Sequence, residues 1–283
     1  MKRYKEILIK TTPESNDIIS GLLWQLDISG ITENDNSLTV FIESSKKSGK
    51  EEIETILIEA VKNEIINSYE LFEEEFEDKN WNEEYEKKVR VIEVTDKIVI
   101  KPSFKEYKKK DGQIIIAIDP KMSFGTGEHE TTKLVLQFLE KYICKNDVVM
   151  DIGSGTGVLA IASVYLGAQK AIGIDNDEWC LLNGIENVKM NNLEDNVEIR
   201  LEEISQTTEN DFDLIVANIN KHILLEIAGN IRLKIKKTGK LILSGLLISD
   251  KKEILDLYTH LGFKLIDQSE MGEWICLVFT VEN

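Results

Sequence analysis

The chain has 283 residues, 42% of them hydrophobic and 30% charged, with a net charge of −17 and an isoelectric point near 4.8. That length has room for two domains, and the balance is that of a globular protein. No run approaches the ~20 apolar residues of a membrane span and the start lacks a signal-peptide core, so a cytoplasmic protein without a membrane partner is expected. Clustered Lys and Arg drive phosphate binding; the acidic balance argues against a nucleic-acid partner and suits a basic protein partner instead.

The first elements alternate in a definite order. Residues 3–10 read as a strand and 13–26 as a helix with apolar positions at 18, 19, 22, 23 and 26. A hairpin follows, 30–33 and 37–42 about the turn 33–36, then a helix over 51–66 and a strand over 69–76. The order βαββαβ is the ferredoxin-like arrangement. It predicts a small domain over residues 1–78, and residues 1–86 carry 9 Lys and Arg against 21 Asp and Glu. Residues 79–120 are expected to form a linker. A short helix over 78–88 would pack Trp81 and Tyr85, and two strands, 89–103 and 113–118, would meet through a charged hairpin tip at 108–112.

From residue 130 a βα pattern sets in, with strands at 148–152, 171–175, 197–201, 212–217 and 240–244. Helices are expected at 130–142, 157–166, 178–190, 222–231 and 251–261. This alternation predicts an α/β domain over 121–283 with a mostly parallel sheet covered on both faces. At its end, 263–268 and 275–280 are joined by a short link and should be antiparallel neighbours. Cys144, Cys180 and Cys276 lie far apart in apolar surroundings, which predicts small buried hydrophobes; with His129, His222 and His260 they give no metal spacing.

The turn after 148–152 carries chemistry. Gly153, Gly155 and Gly157 stand on alternate positions between an apolar strand and a helix, so backbone can approach a ligand there. The dinucleotide fingerprint places its third glycine one residue later, which disfavours a nicotinamide oxidoreductase. Asp151, two residues before the first glycine, would repel a pyrophosphate and suits a ligand with a positive end. Asp175, at the tip of the next strand, is placed to accept hydrogen bonds from a ribose diol. A cationic, ribose-bearing ligand is implied, and S-adenosyl-L-methionine has these features. The plainer alternative is a tight turn with Asp175 capping a helix.

Upstream stands Asp119-Pro120-Lys121-Met122-Ser123-Phe124-Gly125-Thr126-Gly127-Glu128-His129-Glu130-Thr131-Thr132, a flexible loop followed by capping hydroxyls. This stretch resembles the F-G-T-G-x-H-x-T-T signature of the PrmA family, which methylates protein L-eleven of the large ribosomal subunit. The resemblance extends over Asn80-Trp81, Asp151 to Gly157, Val216 to Ile219, Leu243 to Leu246 and Gly272-Glu273-Trp274. It implies a Rossmann-like class I methyltransferase sheet behind a ferredoxin-like N-terminal substrate-recognition domain, with S-adenosyl-L-methionine as cofactor. It also implies transfer to lysine side chains, the N-terminal amine being a further acceptor, by an enzyme expected to be a monomer. Thr132, Gly153, Asp175 and Asn218 match the family's cofactor contacts, to which the residues' own logic adds Asp151 and Gly155. Phe124 to Gly127 would cover the donor.

Asn218 ends a strand where such folds meet their ligand, and it is the residue expected to hold both donor and incoming amine. The sequence Asn218-Ile219-Asn220 departs from the N-P-P-Y pattern of amide-nitrogen methylation. His129 is a proton relay or, more simply, a cap. Glu128 and Glu130 depart from the commoner Thr and Pro. Alternatives are another protein or a small amine as substrate, or a binding module without catalysis.

Overall fold

The computed structural model describes residues 3–23, 26–28, 30–34, 36–43, 49–63, 65–77, 90–119 and 123–282. The chain forms two compact units, Met1–Lys88 and Val89–Asn283.

In the first unit, β1 (Arg3–Lys10), α1 (Pro13–Leu23), β2 (Gly30–Asn34), β3 (Ser37–Glu43), α2 (Lys50–Lys62) and β4 (Glu70–Glu77) follow the expected order. The sheet runs β2-β3-β1-β4, antiparallel throughout. Strand residues alternate sides. Ile7, Ile9, Leu38, Val40 and Ile42 therefore share one face and pack on Ile19, Leu23, Ile53 and Leu57 of the helices. On the other face Leu8 stands opposite Thr39 and Phe72, and Phe41 opposite Glu6. Phe72 is 45% exposed there. The helix expected over 78–88 lies outside the described residues.

The second unit opens with three short strands, β5 (Ile92–Glu93), β6 (Ile98–Lys101) and β7 (Ile114–Ala117). The expected hairpin across 108–112 is not formed: β6 and β7 are parallel, and it is β5 that pairs antiparallel with β6. The connection 102–113 doubles back before β7 begins. Lys101 Nζ donates to the carbonyls of Pro102 and Lys105, Lys110 pairs with Glu93 at 3.0 Å, and the Tyr107 hydroxyl donates to Glu93 Oε1 at 2.9 Å. Ile98, Ile100, Ile116 and Ile118 share a core with Leu134, Val135 and Leu139, so this segment packs as part of the second unit and not as a free linker.

The main sheet contains β8 (Val148–Ile152), β9 (Lys170–Asp175), β10 (Val197–Leu201), β11 (Phe212–Asn218), β12 (Ile235–Leu247), β13 (Phe263–Met271) and β14 (Trp274–Val281). Their order is β10-β9-β8-β11-β12-β14-β13. Only β14 is reversed, antiparallel to both neighbours, as in Rossmann-like methyltransferases. Helices α3 (Glu130–Tyr142), α4 (Val158–Tyr165), α5 (Glu178–Met190), α6 (Lys221–Lys234) and α7 (Lys251–His260) complete the layers. Alternation along the strands makes two cores. Val149, Leu214, Val216 and Ile242 meet α3 and α4, whereas Met150, Ile215, Ala217 and Leu243 meet α6 and α7.

The borders of the sheet are charged. On β10, Arg200 reaches Glu198 and Glu209 at 2.7 Å each, and its guanidinium holds both carboxyls down at about 2. On β13 the register shifts between Leu265 and Asp267, and the Asp267 carboxylate accepts from Lys141 and the Tyr142 hydroxyl. Cys276 is buried, and burial raises its thiol; Cys180 is half-buried. Cys144, expected to be buried, is exposed, because α3 ends at Tyr142 and the turn 144–147 swings it outward. Among the described residues no helix is long and apolar enough to cross a membrane, and no three His, Cys, Asp or Glu gather into a metal site.

Candidate active site

Strand β8 ends at Ile152 and the chain turns through 153–157 into α4. The N–H groups of Gly153 and Ser154 both donate to the Ile174 carbonyl on β9, at 2.9 and 3.1 Å. Gly155 sits at φ +53, and a Cβ there would lie 2.4 Å from the Phe124 carbonyl oxygen. Glycine is thus what lets the loop from residue 123 close on the turn. Two bonds fasten it: Thr156 N–H donates to Phe124 O at 2.9 Å, and the Thr156 hydroxyl to Gly125 O at 2.7 Å.

Asp175 stands at the tip of β9. Its carboxylate accepts from Gly155 N–H at 2.9 Å and Asp177 N–H at 3.1 Å, so it braces the turn while half-buried beside an open cleft. A carboxylate has about four acceptor positions, so two remain for a diol.

Asp151 is placed differently from the expectation. It is fully buried beneath the turn rather than lining the cleft, and Oδ2 accepts from Ala160 N–H in the first turn of α4 at 3.1 Å. Oδ1 has no partner among the described residues, and burial pushes the carboxyl up to about 7, the neighbouring Asp175 adding to the rise. The hydrogen bond it makes is thus to the N-terminal turn of α4.

Asn218 ends β11. Its Nδ2 is 3.4 Å from the Thr132 hydroxyl, and its buried Oδ1 has no partner among the described residues. Thr132 is 1% exposed and lies behind Asn218, while its neighbour Thr131 lines the cleft. His129 is the N-cap of α3, with Nδ1 accepting from Thr131 N–H. Its ring lies edge-on between Phe124, 5.4 Å away, and Trp274, 4.9 Å away. Glu128 and Glu130 do not line the cleft.

These groups surround a cleft of about 690 Å³ at the C-terminal ends of β8, β9 and β11. Gly153, Gly155 and Asp175 form one side, Glu202 to Ser205 after β10 extend it, and Asn218, Gly245 and Trp274 form the other. Open α/β sheets bind ligands at this place. The sequence reading missed one device. Asn183 and Asn187 on α5 and Asn191 at its C-cap, spaced four apart, are all buried and tie β7 and its exit to the glycine turn. Asn191 exchanges two bonds with Ala117; Asn187 accepts from Asp119 N–H and donates to Thr156 O; Asn183 donates to Asp119 O. The four-residue spacing was the available signal.

Comparison with known proteins narrows the fold to a family. The model of "Ribosomal protein L11 methyltransferase (PrmA)" matches residues 3–282. The chain belongs to the PrmA family. A ribosomal protein L11 methyltransferase of Chlorobaculum tepidum is 35% identical over 98% of this chain and 96% of its own. One of Alkaliphilus oremlandii is 30% identical over 99% of both. The crystal structure of a ribosomal protein L11 methylase from Lactobacillus delbrueckii subsp. bulgaricus superposes with a TM-score of 0.65 at 28% identity, covering 69% of this chain and all of that one.

PrmA enzymes are S-adenosyl-L-methionine-dependent methyltransferases, and the donor set in this chain fits that cofactor. The unfilled acceptor positions of Asp175 suit a ribose diol, and the unpaired Oδ1 of Asn218 suits an N–H donor or a cationic group.

Proposed function

We propose that this PrmA-family chain transfers methyl groups from S-adenosyl-L-methionine to amino groups of ribosomal protein L11, lysine side chains first and the N-terminal amine as a further acceptor. The observation that carries the reading is the orphaned carboxamide oxygen of Asn218, buried at a strand tip on the wall of the cleft. It can accept from an amine N–H and turn the nitrogen's lone pair inward. Gly153, Gly155 and Asp175 would hold the cofactor, with Thr132 fixing the Asn218 amide and Asp151 bracing the turn from beneath. The cofactor supplies a methyl group already activated by positive sulfur.

The protein's share is alignment and proton management. A lysine of ordinary pKa is neutral about once in 2,500 molecules at pH 7, which costs roughly 4.6 kcal/mol. The apolar lining of Ile152, Ile174, Ile219 and Ile223 lowers that cost by disfavouring the ammonium. The amine proton leaves to solvent, because His129 is engaged as a cap. Residues 1–78 would recruit the target, with the Leu8, Phe41 and Phe72 face of the sheet as the dock, on an acidic segment suited to a basic protein. A ribosomal target is met in the cytoplasm, where we propose that the enzyme acts as a monomer without contacting nucleic acid.

The test is mass spectrometry of purified L11 treated with enzyme and cofactor. Methyl mass on lysines is expected, and an Asn218→Ala variant should lose at least a hundredfold in kcat. L11 that gains no methyl mass would refute the substrate. Turnover unchanged in the variant would refute the role of Asn218.

A further inference from the structure

Helix α5 is inverted for a surface helix. Its buried positions are Asn183, Gly184, Asn187 and Val188, whereas Trp179, Leu182 and Ile185 face outward, 71%, 56% and 47% exposed. A surface helix usually turns its apolar stripe to the core and its polar side chains to water. Here the amides are needed inside to hold backbone edges, and the large apolar groups stand outside, in neither core of the unit. Spaced three residues apart, they share one broad face along about 9 Å of helix. Leu201, also exposed, ends the edge strand β10 on the same side as Ile199, which lies against Gly184 of α5. Scattered apolar side chains on a surface are ordinary, but a row of them marks a contact.

The row starts at the rim of the cleft, since Asp175, Asn176 and Cys180 line it and Trp179 falls between them in the chain. Strands β9 and β11 flank β8, so their tips, Asp175 and Asn218, are about 10 Å apart. A protein partner typically covers about 800 Å² of surface, a disc of about 16 Å radius. One seated over the cleft therefore extends past Asp175 onto the first turns of α5. The face is also acidic: its exposed positions from 177 to 190 carry Asp177, Glu178 and Glu186 against Lys189. Charge of that sign repels RNA and a second copy of the same face, and it suits a basic protein. Ribosomal proteins are basic because they hold RNA phosphates.

We propose that the Trp179, Leu182 and Ile185 face of α5 is a docking surface for the acceptor protein L11, apart from the residues that align its amine. The inference rests on the reading of L11 as substrate. The indole anchors in an apolar patch of L11, and the acids around it meet lysines or arginines. Buried aromatic anchors ringed by polar contacts carry most of the affinity of protein interfaces. The face lies on the ribose side of the cleft, away from Asn218. Its contacts are the same before and during methyl transfer, so they lower KM and leave kcat alone.

The experiment uses the full chain and purified L11. The protein has four tryptophans, and the emission of Trp179 is obtained as the difference between wild type and Trp179→Phe. Titration with L11 should shift that emission saturably to shorter wavelength as the indole leaves water, and added salt should raise the midpoint. Trp179→Glu and, separately, Leu182→Ser combined with Ile185→Ser should each raise KM for L11 about tenfold. Their kcat, and their cofactor affinity by calorimetry, should stay near wild type, and Trp179→Phe should keep most of the affinity for L11.

Methyl transfer that proceeds while L11 leaves the Trp179 emission unmoved, or with an unchanged KM in both variants, overturns the docking surface. Emission that shifts with enzyme concentration alone, without L11, assigns the face to a second copy and overturns it too. If the substituted chains do not fold, the wild-type titration and the Trp179→Phe kinetics decide. An emission shift with no methyl mass on L11 supports the contact and refutes the proposed function instead.

Discussion

Replacing Asp151 with Asn should stabilise the protein at pH 8 far more than at pH 5, and the structure gives the size of the difference. The carboxyl is fully buried, has one hydrogen bond, from Ala160 N–H, and titrates at about 7 against an ordinary value of 3.8. A folded-state pKa above the unfolded one means that the fold holds a proton which the unfolded chain has released. Between about pH 4 and pH 7 the unfolded state therefore binds fewer protons, and stability falls as pH rises, levelling off above 7. About three pKa units at 1.36 kcal/mol each is a loss of about 4 kcal/mol across that window. Asparagine keeps an acceptor for Ala160 and does not titrate. Whatever constant offset its amide introduces, the difference between variant and wild type should swing in the variant's favour by several kcal/mol between pH 4 and pH 8. Urea denaturation at unit pH steps measures it. A difference that is flat from pH 4 to pH 8 would mean that Asp151 is ionised in the fold, and the burial argument would be wrong.

Three further outcomes follow from the same site. Gly155→Ala places a Cβ against the Phe124 carbonyl at a left-handed backbone position, so calorimetry should find cofactor affinity reduced at least tenfold; native affinity would show that the loop adjusts freely. Asn187→Leu strands Asp119 N–H and Thr156 O, both paired through that side chain among the described residues, and should cost about 3 kcal/mol in denaturant titration; a cost below 1 kcal/mol would mean that water replaces the amide. His129→Ala removes a helix cap worth about 1 kcal/mol but leaves proton release to solvent, so the thermal midpoint should fall while the pH–rate profile keeps its shape. A lost limb in that profile would restore the relay role.

The strands and helices of the second unit were legible because parallel strands buried on both faces read as short apolar runs, and the helices between them keep an apolar stripe. A strand tip then pointed to Asp175, and a strand tip together with the family resemblance pointed to Asn218; both line the cleft. The segment 92–117 was misread for a physical reason. Lys108 to Gly112 has the composition of a hairpin tip, yet the direction of β7 is set by distant groups, namely the Asn191 side chain pairing with Ala117 and the core around Leu134. The asparagine ladder was missed because polar residues on a helix are read as solvent-facing, and only the fold shows backbone edges waiting beneath them. Asp151 illustrates the same limit. A carboxylate beside a glycine turn has the same letters whether it faces a ligand or the end of the next helix, and burial alone separates the two.

The charged borders of the main sheet bear on how the molecule behaves in a crowd. A sheet of seven strands has two unpaired rims, and a flat rim is a template on which another chain can add a strand. Here one rim presents Glu198 and Arg200 already tied to their neighbours, and the other is kinked at Ile266 beside an Asp267 committed to Lys141. One rim is thus lined by paired charges and the other is broken by a register shift. Strand addition at the rims of this sheet is thereby disfavoured.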